Sequence, residues 1–149
     1  MATKIRLRDI VDALEMQGDE DRAYMNLETG EVHVLGVEFL SQAEESDEEE
    51  HEDLGLQLAR KIKSSDNFER LPTKFDIHEW SIMQEFCQSV TSDSLREELM
   101  DAIHGRGAFR VFKSVVYRHH IEKDWYAFRD EALREIARDW CEEHELAWE

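Results

Sequence analysis

The sequence predicts an α+β fold that is mainly helical, with a small antiparallel β-hairpin sheet near the N-terminus and a C-terminal helical bundle. One proline and six glycines among 149 residues favour long regular elements over a turn-rich β-sandwich. Apolar residues recur at helical spacing through the second half. In part of the first half, apolar and polar residues alternate, as is typical of strands. We expect a single domain over 1–149, with a helix and hairpin half at about 1–72 and a helical half at about 73–149.

The N-terminal half begins with a short helix and a hairpin. Apolar residues at helical spacing predict an amphipathic helix over about 8–18. Side chains typical of strands then alternate with polar ones through Ala23–Leu35, on both sides of a turn. Gly30 occupies the turn position that needs a left-handed residue. Because a lone hairpin is marginal in water, we expect Phe68–Leu71 to add a third strand.

An acidic run separates the hairpin from the next predicted helix. Most residues of Glu44–Asp53 are carboxylates, which repel one another and predict a loop or a solvated helix face. After this run, Leu54, Leu58 and Ile62 recur every four residues and predict a short helix. Lysine and arginine near its end suit the helix dipole.

Four helices are predicted in the C-terminal half. Asp76 with Glu79 forms a capping-box pattern at the start of the first. Thr91–Asp93 break and recap the chain, and Gly105 is the expected stop of the second helix. The third carries apolar groups around much of its surface, so we expect it to be central, and the last begins near Glu122. The apolar stripes comprise Ile77, Trp80, Met83, Phe86, Cys87, Val90, Leu95, Leu99, Ile103, Ala108, Phe109, Val111, Phe112, Val115, Val116, Trp125, Phe128, Ala132, Ile136 and Trp140.

Charge is the strongest compositional feature of the chain. The formal net charge is −18, and the residues up to Asp53 include 4 basic against 17 acidic side chains. Such acidity disfavours direct binding of nucleic acid or of an anionic membrane, because both depend on neutralising phosphates with lysine and arginine. It favours a basic protein partner, or a surface that keeps the protein soluble.

Cysteine and histidine usage gives little support to metal or nucleophilic chemistry. Cys87 and Cys141 lie on or beside apolar stripes, where a thiol behaves as a small hydrophobe, and they favour a reducing cytoplasm over a disulfide scaffold. His119 and His120 are adjacent, so on a helix they point about 100° apart and do not readily share a metal. We expect a soluble cytoplasmic protein with no cofactor, no metal site and no membrane segment.

The longest stretch without a carboxylate, residues 102–121, indicates a candidate anion site. Two glycines bracket an arginine and precede an amphipathic basic helix, which places exposed backbone N–H groups and positive charge together. The predicted anion-binding residues are Gly105, Arg106, Gly107, Arg110 and Lys113. In the alternative interpretation, the glycines form an ordinary helix corner and Arg106 and Arg110 pair with carboxylates of the last helix.

These features favour a non-catalytic binding or adaptor protein, with an acidic N-terminal surface for a basic partner and a corner for a small anionic ligand. One alternative is an enzyme acting on a phosphorylated or carboxylated small molecule, with Arg106 and Arg110 as its clamp and His104 or Asp101 as the nearby group. Another is an acidic mimic of nucleic acid that occupies a basic groove of a partner. The sequence makes no prediction of oligomeric state.

Five pieces of the sequence occur in a characteristic order: Asp9–Glu15, Tyr24–Val32, Gly105–Lys113, Trp125–Arg129 and Trp140–Glu143. In this order they resemble uncharacterised protein family 0158 of the UPF series. Gly105–Lys113 is the most specific piece, although the family commonly has a second consecutive arginine where this chain has Val111. The resemblance implies a shared fold and one integrated domain, and it carries no activity over.

Overall fold

A computed structural model describes residues 5–45 and 54–149, and it confirms the α+β class. The helices are α1 (Leu7–Met16), α2 (Val37–Glu45), α3 (Leu54–Ser64), α4 (Lys74–Ile77), α5 (Glu79–Ser89), α6 (Asp93–Ile103), α7 (Ala108–Arg118) and α8 (Glu122–Glu143). The strands are β1 (Asp21–Asn26), β2 (Val32–Gly36) and β3 (Phe68–Arg70). Within the described residues, no helix has the length and apolar character needed to cross a membrane.

The chain folds into two compact units. The first comprises residues up to Ile77 together with Arg134–Glu149, and the second comprises His78–Leu133. The first unit therefore differs from the expected N-terminal half in including the end of α8 and the segment after it. Helix α8 contributes residues to both units.

The predicted hairpin and its third strand are confirmed. The sheet has the order β2-β1-β3, and both pairs are antiparallel. Gly30 adopts a φ of 78° in the hairpin turn, and its N–H donates to the Asn26 carbonyl at 2.7 Å. A left-handed residue costs least at glycine, which explains its presence at this turn.

Both faces of the sheet are covered within the first unit. Leu35 packs with Ala59 and Ile62 in a core formed with α2 and α3. Ala23 and Met25 have no exposed surface, and α1 packs against β2. Since side chains alternate along a strand, this burial on both faces accounts for the apolar character of the hairpin.

The C-terminal segment docks on the first unit. Ile5 forms a parallel bridge with Trp148, and the Ile5 N–H donates to the Ala147 carbonyl at 3.1 Å. The Trp140 indole N–H donates to the Arg70 carbonyl at 3.0 Å, which joins α8 to β3. These bonds satisfy backbone groups at both ends of the chain that would otherwise need water.

An aromatic cluster fills the core of the second unit. The rings of Phe112 and Trp125 meet edge to face with centroids 4.8 Å apart, and Phe86 contacts both. Edge-to-face pairs of this kind are favourable beyond the area that they bury. The cluster joins α5, α7 and α8 of this unit.

The capping box at the start of the helical region is shifted from its predicted position. Thr73 and Asp76 form it: the Thr73 N–H donates to Asp76 Oδ2 at 2.9 Å, and the Asp76 N–H donates to Thr73 Oγ1 at 3.2 Å. The predicted pairing of Asp76 with Glu79 was wrong, because Asp76 takes the third helical position rather than the cap. Helix α4 then ends at Ile77, and His78 adopts a left-handed φ of 54° before α5 begins.

Two aromatic residues that were predicted in the core are exposed. Trp80 retains 39% of its accessible surface and Phe109 retains 42%. The break at His78 separates α5 from α4, so the two helices do not share one continuous stripe. Helix α7 buries one face only, through Phe112 and residues of its next turn, so it is amphipathic rather than central.

The apolar stripe of α8 also differs from the predicted one. Trp125 and Trp140 are buried as expected, whereas Leu133 and Ala137 replace Ala132 and Ile136 as fully buried residues. The residues of this helix up to Leu133 belong to the second unit, and those from Arg134 onward belong to the first. A single straight stripe does not describe such a helix.

The predicted helix after the acidic run is confirmed as α3. Its first residue, Leu54, is 82% exposed, so the buried face begins later, at Ala59 and Ile62. The predicted acidic loop at Glu44–Asp53 lies outside the described residues from position 46 onward.

Candidate anion-binding corner

The corner between α6 and α7 is built by one left-handed glycine. Helix α6 ends at Ile103 with His104 as its C-cap, and α7 starts after Gly107, which adopts φ 61° and ψ 37°. The sequence placed the helix stop at Gly105, but this glycine does not have a positive φ. Gly107 is the residue of this corner whose backbone conformation favours glycine.

The N-terminus of α7 lacks a negative partner of its own. Gly107, the N-cap residue, has no side chain that could cap the helix, and the first turn contains no acidic residue. Helices α1, α2, α4, α5, α6 and α8 each have an acidic residue in the first turn. The first N–H groups of α7 thus retain their partial positive charge for a group from outside the helix.

Arg106 and Arg110 are exposed at this corner. Among residues 5–45 and 54–149, neither makes an ion pair or a side-chain hydrogen bond. The Arg110 guanidinium folds back over the helix end, since its Nη2 atom lies 3.5 Å from the position that a Cβ on Gly107 would occupy. The expected pairing of these arginines with carboxylates of the last helix is therefore absent from the described part of the chain.

Several other basic side chains of the same unit are paired. Glu98 on α6 forms an ion pair with Arg118 and accepts a hydrogen bond from His119 at 2.9 Å, which links α6 to the end of α7. Arg129 forms a partly buried bidentate pair with Glu79. The unpaired state of Arg106 and Arg110 contrasts with this pairing.

Lys113 takes a different position from the two arginines. Its ammonium lies 4.7 Å from the centroid of the Phe109 ring, a cation–π contact one turn further along α7, and the residue is half-buried. Lys113 therefore contributes positive charge near the corner, and its ammonium group contacts the face of the Phe109 ring.

Trp80 is a part of the corner that the sequence did not indicate. Its indole N–H donates to the Ile103 carbonyl at 2.8 Å, and its ring meets that of His104 edge to face at 5.5 Å. The His104 Nδ1 atom lies 2.6 Å from the Met100 carbonyl. These contacts place Trp80 and His104 at the C-terminal carbonyl groups of α6. An apolar stripe does not distinguish a tryptophan of this kind from one in the core.

The groups that catalysis would use differ in their exposure to solvent. His104 and Asp101 are both exposed to solvent. Burial raises the pKa of the Cys87 and Cys141 thiols to about 11, which keeps them protonated and unreactive near neutral pH. Within the described residues, no three His, Cys, Asp or Glu side chains are arranged to hold a metal ion.

The comparison with protein families covers nearly the whole chain. The model of an uncharacterised protein family, UPF0158, matches residues 2–148. The chain belongs to this family. The matched residues include the corner between α6 and α7. The two helices and the arginines of the corner therefore lie within the region that the family shares.

A curated relative supports the membership. A UPF0158 protein of Pseudomonas aeruginosa is 33% identical over 66 residues, which is 44% of this chain and 43% of the relative. The match therefore spans less than half the length of either protein. No solved structure matches the chain.

Proposed function

We propose that this UPF0158 protein is a non-catalytic, cytoplasmic binding protein whose corner at Gly105–Arg110 holds an anionic group. The observation that carries the proposal is the exposure of Arg106 and Arg110 without a partner among the described residues. The chemistry that fits is a phosphate or a carboxylate of a ligand or of a partner. The cytoplasmic location rests on the two buried free thiols, Cys87 and Cys141.

Two kinds of donor converge at this corner. Guanidinium groups bind phosphate and carboxylate through paired hydrogen bonds, and the uncapped N–H groups of α7 add neutral donors aligned with the helix dipole. An arriving anion breaks no existing ion pair, because within the described chain Arg106 and Arg110 have none to break. Binding is weakened by salt, since the site is exposed.

Titration with inorganic phosphate and with ATP, followed by ³¹P resonance and by calorimetry, tests this proposal. We expect the double variant Arg106→Gln, Arg110→Gln to weaken binding about tenfold or more, since a hydrogen bond to a charged group contributes on the order of 1.5–3 kcal/mol. The matched control Lys74→Gln, Lys123→Gln removes the same charge elsewhere and should bind almost as wild type does. Equal weakening in both variants, or no measurable binding by wild type, would overturn the proposal.

The enzyme alternative needs a base or a nucleophile held in a cleft beside the arginines. The solvent exposure of His104 and Asp101 weighs against it, because an exposed group is not tuned by burial for acid–base work. Neither buried thiol belongs to the corner. A binding protein needs no base or nucleophile beside the arginines, so a binding role is the simpler proposal.

A second surface, on the acidic first unit, is proposed to face a basic protein partner. The support is the charge distribution, with 17 acidic against 4 basic side chains up to Asp53. A nucleic-acid mimic would need carboxylates at regular intervals along a rigid surface, a requirement that a basic protein partner does not impose. A basic protein segment is therefore the partner that we favour.

A further inference from the structure

The sheet of the first unit has an open edge at β2. The Asn26 N–H donates to the Glu31 carbonyl at 2.8 Å, which fixes the residues of the second strand that face β1. Hydrogen-bonding groups alternate along an antiparallel strand, so the N–H and C=O groups of Val32 and Val34 point away from β1. No other described strand pairs with β2 on that side.

The β2 segment itself lacks the residues with which proteins usually block edge strands. The segment Val32–Gly36 contains no proline, lysine or carboxylate. Within residues 5–45 and 54–149, no hydrogen bond engages the backbone N–H of Val32 or Val34. An unblocked row of backbone groups is a template for another extended segment.

A groove of about 460 Å³ runs beside the same edge, between α1 and β2. It is lined by Asp9, Asp12, Ala13, Met16, Glu31, Val32, His33 and Val34. Met16 is 72% exposed at the end of α1, an unusual degree of exposure for a large apolar residue. The groove thus offers apolar contacts alongside free backbone groups.

The charges around the groove determine what it can accept. Asp9, Asp12 and Glu31 supply carboxylates. The Arg8 Nε atom lies 3.0 Å from Asp12, and the His33 Nε2 atom lies 3.7 Å from Glu31, so two basic side chains already neighbour these carboxylates. A second copy of this chain would bring the same carboxylates to the interface and a further net charge of −18. Repulsion therefore disfavours self-association at this edge and favours a cationic segment.

We propose that β2 and this groove bind an extended basic segment of a partner protein, which adds to the sheet as a fourth strand. Its backbone pairs with Val32 and Val34, its apolar side chains contact the groove, and its lysine or arginine side chains reach Asp9 and Asp12. This inference rests on the proposed basic partner and specifies how that partner is recognised. It is independent of the anion corner.

A blocked peptide of alternating lysine and valine is the direct probe. We expect it to bind the full chain at low salt, to shift the amide resonances of Val32 and Val34 and to slow the hydrogen exchange of both amides. The same peptide N-methylated at alternate residues keeps its charge and loses its pairing groups. We expect it to bind at least about tenfold more weakly, because several backbone hydrogen bonds are lost at once.

Charge variants test the carboxylates of the groove. Asp9→Asn with Asp12→Asn should weaken binding of the lysine and valine peptide about tenfold, whereas Glu142→Gln with Glu143→Gln, an equal change on exposed residues of α8, should weaken it about twofold at most. Equal effects of the two variants would overturn the groove as the site.

The outcomes distinguish addition of the peptide to the sheet as a strand from binding by the attraction of opposite charges alone. If the N-methylated peptide binds equally well and the Val32 and Val34 amides stay unprotected, strand addition is wrong while the basic partner stands. If no basic peptide binds, both are wrong and the anion corner is unaffected. If these amides are already protected in the free protein and its mass is that of a dimer, a second copy occupies the edge and the proposal is wrong.

Discussion

At the scale of single residues, Arg106 and Arg110 are exposed and have no ion pair with any residue of 5–45 or 54–149. An exposed guanidinium keeps its hydration, so it adds little to the stability of the fold and is available to a ligand. Their location could be predicted from sequence, because the 102–121 window contains no carboxylate. Their unpaired state could not, since the many acidic residues of α8 allow a pairing that only tertiary structure excludes.

The two thiols give a second prediction at this scale. Burial raises the pKa of Cys87 and Cys141 from the ordinary value of 9.0 to about 11. Between these values the unfolded chain loses its thiol protons and the folded chain keeps them. The stabilisation is therefore complete below pH 9 and is lost as the pH rises through about 11.

Urea denaturation from pH 8 to pH 11 measures this effect. We expect the free energy of unfolding of wild type to fall more steeply with pH than that of the variant Cys87→Ala, Cys141→Ala. The variant keeps every lysine and tyrosine, so it controls for their titration. Parallel pH profiles would show that the thiols ionise equally in both states.

At the scale of elements, local sequence patterns predict most of the helices and strands. The features that they do not predict depend on tertiary packing. Gly30 and its flanking alternation predicted the hairpin because turn chemistry is local. The break at His78 was missed because a left-handed histidine has no sequence signature. Trp80 was consequently placed in the core, whereas it completes the carbonyl end of α6.

The capping box of α4 makes the role of Thr73 testable. Thr73→Ala removes the hydroxyl that accepts from the Asp76 N–H, and we expect it to lower the free energy of unfolding by about 1 kcal/mol. The matched control is Thr91→Ala, which removes an exposed hydroxyl beside the actual N-cap, Ser92. Chemical denaturation measures both variants. A loss no larger than that of the control would show that the box contributes nothing.

At the scale of the whole molecule, the chain separates its charges. The N-terminal third holds most of the net negative charge, and the N-terminal end of α7 holds arginines without an ion pair among the described residues of the second unit. The sequence predicted this asymmetry from composition. The assignment of the end of α8 to the first unit depends on long-range contacts, such as that of Trp140 with Arg70, which no local pattern encodes.

Amide resonances recorded during titration with inorganic phosphate address the central claim directly, namely that Arg106, Arg110 and the start of α7 form an anion site. We predict saturable shifts at Gly107, Ala108 and Phe109 that disappear in the Arg106→Gln, Arg110→Gln variant. Shifts scattered over surface lysines, or persisting in that variant, would contradict it.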